Sequence, residues 1–469
     1  MSMKKTFMVT AVAAVLTTSV VGSVSAAPAV SASGTKSVAV QVQQTKYRIN
    51  GSEAAIRSII QQGETLVSVR DMIKAVGAQA EVAKGVTTVK LNGHTLVLKN
   101  NSSQIKADGV TTTLAQPVTV ITGTSYIALR PFVSLLGGTI GKRAGVLEIS
   151  TIPLLADAEN PRFAGTGKLI VSRSDEQGRT DYLVDTTSGK SELLLTTSGG
   201  SDLVVSRSGE QAAYTDAEGA VYVLDLRSKA SRLITKDTSI KPELVWSADS
   251  RAIYFLQGDK GSVIAKLDVT EGTITKVVED KVDYKENLSV SADGKKFVYT
   301  VTTLGTVTSD ATNVDEDNVS IDFSSNQQQI YSFNIGGSKL EAVKLTTSSD
   351  DKVFVWSRDG LKAYYVSIPS TDDQATLLSV DASQKPSRVF ADYDVEQVLL
   401  AGGILYVLAA QDDSNSVIYS IDTLTGKQTK LYTVSADVSA IAVADSQIAI
   451  VENGRVLVHA GNSWRAVTK

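Results

Sequence analysis

One short phrase returns six times in the last two thirds of the chain: YLVDTTSGK, YVLDLRSKA, AKLDVTEGT, YSFNIGGSK, LSVDASQKP and YSIDTLTGK. Its polar anchor falls at Asp185, Asp225, Asp268, Asn334, Asp381 and Asp422, in steps of 40, 43, 66, 47 and 41 residues. A second phrase alternates with it: VSRSGE at 205–210, WSADSR at 246–251, VSADGK at 290–295 and WSRDGL at 356–361, each a turn between two apolar runs. A unit of about 40–45 residues with four short strands cannot bury its apolar faces alone and must stack on copies of itself, which is the mark of a β-propeller. The units count to seven from Pro161 onward, or to six if one end unit is partial. The expectation is a mainly β chain with a seven-bladed, alternatively six-bladed, propeller over residues 160–469.

Several residues inside the repeats invite chemistry and read more simply as structure. An Asp at a fixed place in every unit is expected to accept hydrogen bonds from the turn after it. Ser188–Glu192 (SGKSE) resembles the end of a phosphate loop, but the required first Gly is Val184, so a hairpin turn is expected. Trp246 and Trp356 occupy the same slot of two units and are expected in the core, with Trp464 joining the closure of the last unit. The long step carries about twenty extra residues, 302–326, with Asp310, Asp315, Glu316, Asp317 and Asp322 and no Lys or Arg. Asp315 and Asp317 are the candidate Ca²⁺ ligands there, although the Gly of an EF-hand loop is missing. No G-x-S-x-G elbow is found, and His94 and His459, the two histidines of the chain, fall in different domains.

Ahead of the repeats lies a duplicated element. GETLVSVRDMIKAVGA at 63–78 and GTSYIALRPFVSLLGG at 123–138 share one pattern of strand, apolar helical stripe and terminal Gly. The stripes are Val69, Met72, Ile73, Val76 and Leu129, Phe132, Val133, Leu136, at i, i+3, i+4, i+7. Arg70 and Arg130 match between the copies, which reads as a structural requirement of the unit. The first 26 residues have the form of a signal peptide, with Lys4 and Lys5, an apolar run from Phe7 to Val21, and Val24-Ser25-Ala26 as the cleavage site. The chain has no cysteine, which excludes disulfides and thiolate metal sites, and its net charge of −4 gives no case for nucleic acid. The expected organisation is signal peptide 1–26, linker 27–36, a small α+β duplicated domain 37–152, linker 153–159, and the propeller 160–469. No transmembrane span is expected once the signal is removed.

The motifs VSVRDMIKAVGA and IALRPFVSLLGG resemble the repeat of the copper amine oxidase N-terminal-like, or stalk, domain of exported Paenibacillus-type proteins. Ser68 and Ala128 stand where that repeat usually has Pro. The later repeats resemble TolB-like and WD-like propellers. Copper chemistry does not follow from the first resemblance, because two histidines in separate domains cannot build a multi-imidazole copper site. The resemblances imply an exported protein of the cell wall or extracellular space of a Gram-positive bacterium. The expected role is a non-enzymatic, cofactor-free binding scaffold: the propeller engages an envelope protein or a cell-wall glycan, and the stalk domain presents or tethers it. The rival expectation is a propeller hydrolase or lyase acting on wall or extracellular polysaccharide.

Overall fold

The copies of the duplicated element meet strand to strand. In the computed structural model, which describes residues 41–143, 145–258, 260–303, 306–309, 319–322, 327–371 and 374–469, strand Glu64–Ser68 pairs antiparallel with Thr124–Ala128. Val67 lies opposite Ile127, Leu66 opposite Ala128 and Ser68 opposite Tyr126. Val67 and Ile127 are the same position of the two copies, so an internal two-fold axis passes between them. The expected signal peptide and the 27–36 linker lie outside the described residues.

Each of these strands runs into a short helix, α1 (Val69–Val76) and α2 (Leu129–Leu135), and each helix into a hairpin. The second hairpin joins a seven-stranded sheet, where Val146–Ser150 pairs parallel with Gln43–Ile49. The first hairpin opens a separate five-stranded sheet over Gln79–Thr113. Met72, Val76, Phe132, Val133 and Leu136 share one buried cluster with Val89, Leu96 and Leu98, so the two helices and both sheets close on a common core.

The two helix starts solve one problem in two ways. At α1 the Ser68 hydroxyl accepts the Asp71 N–H, and Asp71 accepts the Arg57 guanidinium through both oxygens at 2.7 and 2.8 Å. At α2 the equivalent residues are Ala128 and Pro131, and Ala128 makes no side-chain cap. Proline has no N–H at that position, so there is no donor to cap. Arg70 and Arg130, in contrast to the expectation, hold nothing together: both are exposed, and among the described residues neither makes a hydrogen bond or ion pair. The arginine that matters is Arg57, which has no counterpart in the second copy, where Pro117 stands.

Residues 159–466 form seven four-stranded antiparallel sheets, each a simple meander in chain order, here numbered 1 to 7: 159–197, 204–235, 244–279, 285–344, 351–390, 394–435 and 438–466. Sheet 4 has a two-stranded hairpin (Thr306–Ser309, Val319–Asp322) inserted between its second and third strands. The second strand of every sheet carries a run buried on both faces, such as Ala252–Leu256 and Leu405–Ala409. One apolar cluster stands between each consecutive pair of sheets. A further cluster joins sheet 1 (Leu169, Val171, Val184) to sheet 7 (Ala449, Val456, Val458).

The repeat anchors behave as expected. Asp185, Asp225, Asp268 and Asp422 each accept two backbone N–H groups of the following turn through one oxygen, and Asn334 and Asp381 accept one. SGKSE is the turn held by Asp185. The tryptophans are buried or half-buried, as expected, but the shared slot does not give a shared face. Six residues separate Trp246 from its partner Ile253, and seven separate Trp356 from Tyr364. A one-residue change inverts the side chain. The Trp246 indole therefore bonds to Val204 O of sheet 2, and that of Trp356 to Val398 O of sheet 6. Trp464 is not at the contact of sheets 7 and 1; it packs between sheets 6 and 7 on Tyr432 and His459.

The connecting segment is pinned rather than free. Asn50 bonds Thr151 through N–H and hydroxyl, Asn92 bonds the Thr151 carbonyl, and Leu155 bridges Thr468 beside sheet 7. Residues Val42–Lys469 accordingly form one compact unit.

Two outcomes follow for stability. Replacing Asp71 by Ala removes a half-buried bidentate pair and is expected to cost about 1–2 kcal/mol in urea unfolding, whereas Arg70→Ala and Arg130→Ala stay within about 0.5 kcal/mol. Asp225, Asp268 and Asp422 are held below the usual carboxylate range, chiefly by the N–H groups of Ser228, Glu271 and Thr425. Their contribution is therefore complete above the unfolded carboxylate pKa of about 3.9 and is lost as pH falls below it. The triple change to Asn, which Asn334 shows can still accept a turn N–H, is expected to flatten the fall of melting temperature below about pH 4.

Candidate functional site

In an antiparallel meander the connection from strand 2 to 3 and the exit of strand 4 leave from the same end of the sheet. In all seven sheets these connections therefore share one end, and the strand 1–2 and 3–4 turns share the other. The first set carries twenty Asp and Glu against five Lys; the second carries eight Asp and Glu against eleven Lys and Arg. The modest net charge of the chain thus hides a strong separation along the strand direction. Seven of the twenty acidic residues, Asp315 and Asp317 among them, lie outside the described residues, so the expected Ca²⁺ ligands have no described geometry. Among the described residues no group of three or more His, Asp or Glu is placed to hold a metal ion.

The acidic end is stiffened by buried charge. In sheet 1 both Asp181 oxygens are taken: Arg162 reaches one at 3.1 Å, Arg179 the other at 3.0 Å, and Ser172 donates to the first at 2.7 Å. Asp181 is fully buried. Arg179 continues to Asp202 at 3.0 Å and to Ser201 O, and Arg162 to Leu203 O, so the network ties sheet 1 to the loop entering sheet 2. Burial lowers the Arg162 pKa against the opposing pull of Asp181 and Asp202. The arrangement clamps the strands of sheet 1 to that loop.

Sheets 3, 4 and 5 repeat another device. Lys241, Lys285 and Lys352 are each buried at the entry to the first strand, and their ammonium groups point into the preceding loop. Lys241 donates to Asp237 O, Ser239 O and Asp237 Oδ1, each at 2.7 Å, and to Gly219 O at 3.1 Å. Lys285 bonds Asp280 at 2.8 Å, Ser262 O at 2.7 Å and Val282 O. Lys352 bonds Ser348 O and Asp350. Desolvation lowers the Lys285 pKa, and burial beside Asp280 raises that of Tyr299, which donates to the same carboxylate. Sequence reasoning missed all three lysines; the Asp or Ser two to five residues before each is the signal that could have found them.

The histidines are apart, as the sequence predicts. His94 bonds Asp108 at 2.8 Å on an exposed turn, and His459 packs between Tyr432 and Trp464. The opposite, less acidic end carries the stalk contact: the Gly51 turn abuts Thr187 in the strand 3–4 turn of sheet 1.

Residues 48–150 match the family described as copper amine oxidase N-terminal domain. No curated protein matches the chain. Among solved structures it is similar to the β-propeller domain of the Trilobed protease from Pyrococcus furiosus (13% identity, 67% of this chain and 96% of that one, TM-score 0.46). It is also similar to Pyrococcus horikoshii acylaminoacyl peptidase (11%, 67% and 54%, TM-score 0.47) and to TolB from Acinetobacter baumannii (14%, 76% and 78%, TM-score 0.36). The chain thus spans about half the length of the acylaminoacyl peptidase. No helix among the described residues is long and apolar enough to cross a membrane.

Lys285→Met leaves the Asp280 carboxylate buried without its cation and is expected to cost about 3–5 kcal/mol in chemical denaturation. The double change with Asp280→Asn is expected to recover part of that loss.

Proposed function

We propose that this is a non-catalytic, exported binding scaffold of the cell envelope, in which seven sheets form a closed seven-bladed propeller held by the stalk domain. The separation of charge between the two ends carries the reading. The stalk contacts the mixed end, which leaves the acidic end for a partner. The partner fitted by that end is a protein with a basic surface, because an extended field of one sign steers and selects the opposite one. The buried clamps at Asp181, Lys241, Lys285 and Lys352 support the same role. They hold the loops of that end in fixed positions, which lowers the ordering cost of association. Closure is supported by the second strands, all of which are buried on both faces, and by the cluster joining sheets 1 and 7. Export is supported by the signal-like first 26 residues and by the stalk match.

The experiment is retention of envelope proteins by the mature chain and by the surface variant Glu176→Gln, Glu218→Gln, Asp392→Asn, Asp413→Asn, all four being exposed. Retention of a basic protein should weaken about tenfold or more in the variant and fall steeply between 50 and 300 mM salt (about 14 to 6 Å of screening length). Retention that ignores both the variant and salt sinks the acidic-face reading. Turnover of wall polysaccharide by the purified chain would instead establish the enzymatic rival.

A further inference from the structure

Where the stalk meets sheet 1, a cleft of about 390 Å³ opens between the Asn50–Ser52 turn and the strand 3–4 turn of the sheet. Its volume is in the range of small-molecule sites, which favour domain boundaries. Its walls are fixed from both sides. Asn50 is tied to Thr151, and the Asp185 carboxylate holds the N–H groups of Thr187 and Ser188 at 3.0 and 2.8 Å. The Gly51 turn stands so close to Thr187 that a Cβ at Gly51 would meet the Thr187 methyl at 2.7 Å.

The lining has three properties that together select a ligand class. The lining itself carries two cations and two anions, Lys168 with Asp185 at 3.0 Å and Lys190 with Glu192 at 3.1 Å, and Lys229, outside the lining, also reaches Glu192 at 2.7 Å. Lys229 and Lys190 lower the Glu192 pKa to about 2, so the carboxylate is ionised throughout the neutral range. A ligand with net charge would therefore meet no unpaired charge in the lining. Second, donors and acceptors alternate at short spacing. Each ammonium has three N–H bonds, more than its ion pairs use, and the Ser52 and Thr187 hydroxyls can both donate and accept. Third, the half-buried Leu183 side chain offers one small apolar patch among them. Neutral charge, dense two-way hydrogen bonding and an apolar spot are the complement of an uncharged polyhydroxylated ring.

We infer that the stalk–propeller cleft is a binding site for a neutral saccharide unit, separate from the acidic end and independent of the partner proposed for it. It gives the stalk a binding role in its own right: a sugar seated there touches both parts of the molecule at once.

The test is ligand-observed NMR on the mature full chain with N-acetylglucosamine, glucose, glucosamine and glucuronate as probes. The expected result is saturable binding of one of the neutral sugars with a dissociation constant of order 1 mM, about −4 kcal/mol. The charged sugars should bind at least about threefold more weakly. Ser52→Trp should abolish the signal by filling the cleft, and Lys190→Met should weaken it about tenfold; Lys229 keeps Glu192 paired in the latter. Both sites are exposed turns, and an unchanged melting temperature verifies the fold. The inference is overturned if no neutral sugar saturates, if the cationic or anionic sugar binds better, or if both variants bind as the wild type does. The acidic-face reading is unaffected by any of these outcomes, since its test is salt-dependent retention of a basic protein.

Discussion

A strand buried on both faces must have a neighbour on each side, and that requirement governs the larger part of this protein. In every one of the seven sheets the second strand meets it, with runs such as Ala212–Thr215 and Ile448–Val451 fully covered. An apolar cluster also joins sheets 1 and 7, and each Å² of such surface kept from water contributes about 25 cal/mol. Once the apolar faces are committed in this way, the polar business of the molecule is forced to the two ends of the strands, where turns and connections emerge. The segregation of acidic residues to one of those ends is then a property of position in the repeat, since the same kind of connection recurs at the same end each time.

Legibility in the sequence followed the same logic. The anchors at Asp185 to Asp422 were readable because one chemical task recurs at one place, and the hydrogen bonds are made within two or three residues of the anchor. The duplication at 63–78 and 123–138 was readable because helical stripes and a terminal Gly are local patterns. Long-range pairings were not. Arg57 reaches Asp71 across a strand and a turn, while the eye-catching match of Arg70 and Arg130 reflects two exposed side chains. The buried lysines each follow an Asp or Ser by two to five residues, but that spacing shows its meaning only once the loop folds its carbonyl groups back around the ammonium. Trp356 has the right neighbours in sequence, and a single added residue in the turn sends it to the other face. The charge separation needs only the parity of the connections, but parity is invisible until strand order is known. The candidate Ca²⁺ ligands Asp315 and Asp317 rested on composition alone.

The molecule joins its two parts with more fixation than a linker supplies. Thr151 is held by Asn50 and Asn92, both in Asn-Gly turns of the stalk, and Leu155 to Asp157 run beside Thr468 and Lys469. The left-handed backbone at Asn50 and Asn92, with φ near 50°, is what turns their amide groups toward the segment. Orientation of the stalk is therefore written into the turns of its own hairpins, and the polar cleft beside them is a consequence of that docking.

The pairing of Val67 with Ile127 across an internal two-fold axis has a further consequence for how this domain could change over time. Two identical chains meeting on such an axis must find one residue that suits both sides at once. Joined in a single chain, the halves are released from that obligation. One half has a hydroxyl cap and pairs Arg57 with Asp71, while the other has Pro131, with no N–H to cap, and a bare Ala128. The two halves use that latitude: the contact at the axis is alike on both sides, and one turn away from it they differ.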